Sequence, residues 1–338
     1  MKKILLFLTL FTGMTLTGCN DSFLEKYPVT SLTEENAFQS YDNFKAFMWP
    51  CYEMFSNTNI ATSTTAIGRN SHYLGDVYAG YLEQRGASSQ NKYAFQTVTN
   101  ATSGNGWNFS SFIRRINIML SHVDDSNMTE EEKNHWKSVG YFFHSFWYME
   151  LIDRFGDVPW VDTPLDDTSE EAYGSRMPRL EVADKVLDRL LWAESNIGNT
   201  AIYEKKDGSN TINQNCVRAA ISRFTLREGT WRKYHELGSY DRYFTECKRV
   251  SKLLMQDYPS LYTGTDGQPG YGEMWTTDDL STVPGIILYQ QWLETIKPGH
   301  SCYYEHTSSH DIEMHQGTVD LYLCKDGKTI SNSELYAG

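Results

Sequence analysis

The chain has 338 residues, with 43 Asp and Glu against 30 Lys and Arg, a formal charge of −13 at neutral pH; 40% of residues are hydrophobic and 22% charged. That composition suits a globular chain long enough for one large domain or two, and its acidic balance excludes a nucleic-acid-binding surface or adhesion to anionic lipid, which need a cationic face. Aromatic residues stand out at 14%, with 22 Tyr, 16 Phe and 9 Trp; part of that excess belongs to a core, and surfaces that stack on sugar rings draw on the same residues.

At the N-terminus, Lys2 and Lys3 precede an apolar run from Ile4 to Phe11, too short to span a bilayer and built like a signal peptide. It stops at Leu16-Thr17-Gly18-Cys19, an arrangement similar to a bacterial lipobox, in which Cys19 becomes the first mature residue and carries lipid. Each buried methylene contributes about 0.8 kcal/mol, so two or more acyl chains give stable anchoring. Losing residues 1–18 leaves 43 acids against 28 bases, a charge of −15. No later apolar run is long enough to span, so this lipid is the expected membrane attachment. Of six cysteines (19, 51, 216, 247, 302 and 324), five remain once Cys19 is acylated. An odd number cannot all pair and no CxxC occurs, so buried free thiols, alone or beside one disulfide, are expected, not a zinc ribbon or a redox pair. No cofactor is expected.

Further along, Ser31-Leu32-Thr33-Glu34 matches a capping box and predicts a helix from about Thr33 to Phe55. Residues 57–106 are rich in Asn, Ser, Thr and Gly, and a loop region of that length inside a compact domain is usually functional. Apolar residues at Phe109, Phe112, Ile113, Ile116, Met119 and Leu120 predict a helix, and a second box, Thr129 to Glu132, opens another that carries Trp136, Val139, Phe143, Phe146, Trp147 and Leu151. Together they predict a helical hairpin over 107–155, closed by Arg154, Gly156 and Pro159 before an extended segment. Over 179–257, Leu180 to Leu191 and Val217 to Phe224 predict a second hairpin across a polar turn, and a helix from Tyr240 begins a third with no evident partner downstream. Repeated amphipathic helices, each unable to bury its face alone, make the expected fold mainly α: a tetratricopeptide-like helical-hairpin solenoid packed against a loop-rich part, 57–106 and 262–338, with few short strands. One such strand pair is expected around "VDLYLCKDGKTI", turning at Asp326-Gly327.

A sugar site needs exposed rings beside polar groups that fix hydroxyls. Two loop regions offer that mixture: Tyr78, Tyr81, Glu83, Gln84, Arg85 and Tyr93 in the first, and Tyr271, Trp275, Trp292, Tyr303 and Tyr304 in the second. Trp107, Trp136, Trp147 and Trp192 sit on helical faces and are assigned to the core. His306 and His310 have the i, i+4 spacing of metal ligands, but Ser, Thr and Gly surround them and no HExxH is present, so they are read as loop residues. Asp166-Asp167 and Glu170-Glu171 are read as surface acids, and GxSxG, P-loop and GxGxxG patterns are absent.

In order, Cys19, "FLEKYPVTSLTEENAF", "WNFSSFIRRINIML", "YFFHSFWYMELIDRFGDVPWVDTPL", "NCVRAAISRFTLREGTWRKY" and "TVDLYLCKDGKTI" span nearly the whole mature sequence. This ordered set resembles the SusD-like (RagB/SusD) family of outer-membrane nutrient-binding lipoproteins of Bacteroidota. The resemblance implies a tetratricopeptide-like scaffold and a non-catalytic surface protein that captures a glycan and delivers it to a SusC-like TonB-dependent transporter. Members of that family continue well beyond the "KDGK" segment, so the resemblance also implies further loops and closing helices after Gly338. A surface glycoside hydrolase and a helical-repeat scaffold binding only protein remain the rival readings. The hydrolase needs two carboxylates about 5–9.5 Å apart in a cleft, and the scaffold a concave apolar groove without exposed rings.

Overall fold

The computed structural model describes residues 37–55, 81–84, 101, 107–109, 111–166, 168–265, 270–277, 279–291 and 312–336. Within them the helices follow chain order as α1 (Tyr41–Met48), α2 (Phe112–His122), α3 (Glu130–Phe155), α4 (Arg179–Asn196), α5 (Thr200–Asp207), α6 (Gln214–Tyr234), α7 (Asp241–Asp257), α8 (Gly270–Thr276) and α9 (Gln316–Leu321). Two short strands, β1 (Leu82–Gln84) and β2 (Ile312–Met314), pair antiparallel with Leu82 opposite Met314. The long helices stack as a solenoid: α1 packs on α2, α2 on α3, α3 on α4, α4 on α6 and α6 on α7.

Helix α3 lies mid-stack, between α2 and α4, and is buried nearly all round, from His135, Trp136 and Val139 to Leu151, Ile152 and Phe155. Its start is written in the sequence. Thr129 accepts the Glu132 N–H while the Glu132 carboxylate accepts the Thr129 N–H, satisfying two amides that a helix start leaves open. Its end is also local, because Gly156 adopts φ 68°, a region that favours glycine. The chain then returns extended: Val158 bridges Met177, the Tyr148 hydroxyl donates to Pro159 O and accepts from Val161 N–H, and His144 Nε2 donates to Val161 O at 2.9 Å. Burial, and secondarily the Arg189 charge, hold the His144 imidazole neutral, well below its usual pKa. At Gly229 an added Cβ would lie 2.9 Å from the Phe244 ring, which is how α7 approaches α6 so closely.

Buried polar groups tie the layers together. Glu228 of α6, 1% exposed, receives Arg179 of α4 at 2.8 and 3.0 Å and Arg232 at 2.8 Å; Arg232 also donates to Leu180 O, Asp184 and the Tyr243 hydroxyl of α7. Glu194 of α4 joins Arg218 of α6 and Arg249 of α7. At the other end Asp207 of α5 accepts from the Tyr41 hydroxyl at 2.7 Å and from His135 Nε2 at 3.2 Å, while His135 Nδ1 accepts the Gly198 N–H.

The structure departs from the sequence-based expectations in three places. The first predicted helix is interrupted: Ala37 is helical, the chain turns over Phe38–Ser40, α1 runs over Tyr41–Met48, and it tightens to 3-10 over Trp49–Phe55, where Pro50 has no N–H for an α-helical bond; residues 31–36, with the Ser31 box, lie outside the described residues. The helix from Tyr240 is partnered upstream by α6, and α5 occupies part of the expected polar turn, capped by Asn199. In the "VDLYLC" run, Val319–Leu321 close α9 in place of a strand, and only a single Leu323–Thr329 bridge remains of the expected hairpin around Gly327. Trp136 and Trp147 are buried and Trp107 is partly buried against the core, as expected; Cys51, Cys216, Cys247 and Cys324 are free thiols. Burial pushes the Cys51 thiol up to about 12 and that of Cys216 up to about 11.

Candidate functional site

Among the described residues beyond α7, the chain is held to the scaffold at few points. Asn210, in the loop before α6, donates to Tyr289 O at 2.6 Å and accepts Tyr289 N–H at 3.1 Å, and Ile287 and Leu288 pack on the core. Helix α8 is seated by a carboxylate clamp, in which Glu273 accepts from the Tyr262 hydroxyl, the Thr265 N–H and the Thr265 hydroxyl at 2.7–2.8 Å. The Thr265 N–H first, and then the two hydroxyls, hold that carboxyl below its usual range. Gly270 is required at the head of α8, since a Cβ there would lie 2.2 Å from Tyr262 O.

That seating turns two rings to solvent. Tyr271 is 74% and Trp275 70% exposed, one turn apart, with ring centroids 6.0 Å apart at 73°. From the far side of the sequence, β1 pairs with β2, and Tyr81 O accepts both the His315 N–H at 3.1 Å and the Thr318 hydroxyl at 2.7 Å. Tyr81, Tyr271, Met314, Thr318, Leu321, Tyr322 and Leu323 thereby line an open hollow of about 620 Å³, within the range of about 300–1,000 Å³ usual for ligand clefts. Tyr81 (49%) and Tyr322 (63%) are exposed there.

Rings from both predicted loop regions thus meet in one place: Tyr81 from the first and Tyr271 from the second, with Trp275 against Tyr271. Tyr78, Arg85, Tyr93, Trp292 and Tyr303, like the lipid-attachment residue Cys19, lie outside the described residues. Tyr322, Met314 and the α9 residues were not anticipated. Their signal was a Tyr flanked by leucines in an otherwise polar segment, read instead as a strand. His306 and His310 also lie outside the described residues, and the nearby His315 uses Nδ1 to accept the Gly317 N–H. Among the described residues no cluster of His, Cys, Asp and Glu could hold a metal ion. Asp166 accepts from Thr168 and Ser169, which hold it below the usual carboxylate range; a general acid needs the opposite shift.

A tetratricopeptide-like solenoid that carries loops with an exposed ring cluster defines a class, and comparison with known proteins identifies it. The family model described as "Starch-binding associating with outer membrane" (SusD-like) matches residues 22–226, and the chain belongs to this family. SusD-like protein P2 of Formosa agariphila is 23% identical over 321 residues, covering 82% of this chain and 60% of that protein. Among solved structures, a SusD-like carbohydrate binding protein from Bacteroides fragilis superposes with a TM-score of 0.58 (15% identity, 86% of this chain, 55% of the other). A SusD superfamily protein from Bacteroides vulgatus gives 0.56 (15% identity, 86% and 60%). The chain therefore shares their fold and spans somewhat over half the length of each of these three relatives.

Proposed function

We propose that this chain is a non-enzymatic glycan-capture lipoprotein of the outer membrane, anchored through Cys19 and exposed at the cell surface. It holds an oligo- or polysaccharide in the hollow and passes it to a SusC-like TonB-dependent transporter. The observation that carries this reading is the hollow itself, where Tyr81, Tyr271 and Tyr322 bring exposed rings to one open surface and Trp275 extends it. Flat rings supply area for the C–H faces of sugars, and their phenol and indole groups supply hydrogen bonds, at little cost in side-chain entropy. Membership of a family described as starch-binding and outer-membrane-associated supports the ligand class and the location. Capture and hand-over need only moderate affinity and no bond cleavage.

The test is isothermal titration of the purified chain against plant, host-mucin and microbial polysaccharides, with reducing ends assayed in parallel. Binding lost in Tyr271→Ala and Trp275→Ala, with thermal stability unchanged and no sugar released, is the expected result. Sugar release would replace capture with hydrolysis. Binding unaffected by either substitution would move the site away from the hollow.

A further inference from the structure

Resting on the capture reading, we infer that the hollow takes an uncharged glycan and rejects polyanionic ones such as uronates and sulfated chains. Its described lining is three tyrosines, a threonine, a methionine and two leucines. These groups stack and hydrogen-bond but supply no counter-charge. The charge around them is acidic. Among the described side chains of the segments that build the hollow, Glu273, Asp320, Asp326 and Glu334 stand against Lys325 and Lys328.

The placement of some of these charges sharpens the point. Glu273 stands on the face of α8 turned to Tyr262 and Thr265, behind the rings of Tyr271 and Trp275, and its hydrogen bonds keep it ionised there. Asp320 stands on α9 between the lining residues Thr318 and Leu321, accepting from Gln316 at 2.8 Å. Lys328 lies 3.9 Å from Asp326, which offsets its charge. A polyanion in the hollow lies in the field of these nearby charges, which acts over about 10 Å at 0.1 M salt and is largely screened at 1 M. A neutral chain meets no such repulsion, and the specificity comes from an unfavourable term against the wrong ligand.

The experiment pairs neutral probes (amylopectin, laminarin, galactomannan and xyloglucan) with acidic ones (polygalacturonate, alginate and chondroitin sulfate), the two polyuronates also tested after carboxyl reduction, which leaves them neutral. Titrations are run at 0.05 and 0.5 M NaCl. The expected result is that at least one neutral or carboxyl-reduced probe binds through the hollow, with binding lost in Tyr271→Ala, while its charged counterparts bind at least tenfold more weakly at low salt and the gap narrows at high salt. Asp320→Lys, an exposed change, should strengthen binding of the acidic probes without weakening the neutral ones. An acidic probe that binds as tightly as any neutral one and loses binding in Tyr271→Ala would overturn the inference and leave capture standing. An unaltered preference in Asp320→Lys would overturn its electrostatic basis. Failure of every probe, neutral and charged, would overturn both the inference and the capture reading.

Discussion

Replacing Glu228 with Ala tests the claim that charge buried between α4, α6 and α7 fixes how these helices sit. Glu228 accepts from both Arg179 and Arg232 and is 1% exposed, while Arg232 is 2% exposed. Glu228→Ala therefore takes from Arg179 its carboxylate and leaves Arg232, among the described residues, with the half-exposed Asp184 as its one counter-charge. Removing one partner of a buried pair typically costs about 3–5 kcal/mol, because the remaining charge keeps its desolvation penalty and loses its compensation. At roughly 1.5 °C per kcal/mol for a chain of this size, from about 2.1 cal/mol/K of unfolding entropy per residue, the midpoint should fall by about 4–8 °C. Circular dichroism at 222 nm during thermal and urea unfolding reads the change. The control is Glu228→Met combined with Arg179→Leu and Arg232→Met, which removes all three charges for similar volume and should be markedly less destabilising than Glu228→Ala alone. A Glu228→Ala chain within about 1 kcal/mol of the parent would refute the reasoning, since that is the range of an exposed pair.

Other expectations follow from single contacts. His144 resists protonation in the fold, whereas in the unfolded chain it takes a proton below about pH 6.5; stability is thus full above that pH and falls by up to about 1.4 kcal/mol per unit below it. His144→Gln should flatten urea midpoints between pH 6.5 and 5, and an unchanged slope would contradict the assignment. Gly229→Ala should destabilise by up to about 2 kcal/mol despite its better helix propensity, because the new methyl meets the Phe244 ring; a raised urea midpoint would show that the ring yields. Thr129→Ala removes the acceptor for the Glu132 N–H and should cost about 1 kcal/mol in the same assay. Cys51 and Cys216, whose thiols burial holds protonated, should resist iodoacetamide at pH 8 until urea opens the stack.

Local chemistry was legible in the sequence wherever the deciding residues are neighbours. Thr129 with Glu132, and Gly156 ahead of Pro159, mark both ends of α3 because each acts on amides or carbonyls within one turn. The apolar spacing gave the scaffold helices for the same reason. Pairing was less legible. The α7 helix binds α6 through Tyr243, Val250 and the space that Gly229 leaves, features that say "buried" without saying against what. Helix α5 is short and largely polar and rests on Asn199 and the stack of Tyr203 on His135, so no apolar period announced it. Of the candidate site, the rings and their two loop regions could be named, but no spacing rule places Tyr81 beside Thr318, because their contact is set by the fold between them.

That last contact has an entropic side. Tyr81 and Thr318 lie 237 positions apart, and closing a flexible loop of that length costs about 5 kcal/mol. Three strand residues on each side, with two hydrogen bonds to Tyr81 O, return too little to meet that cost from an unfolded chain. The helical stack must form first and shorten the path, so the hollow is a late product of folding and its strand pair opens at lower free energy than the scaffold. A molecule seated against Tyr81 on one side and Met314 or Tyr322 on the other would span that seam and bind only its closed form, shifting the balance toward closure by RT ln(1 + [L]/Kd). Occupancy should thus be readable far from any ring, as slowed amide hydrogen exchange along Leu82–Gln84 and Ile312–Met314 while α3 and α6 exchange as before.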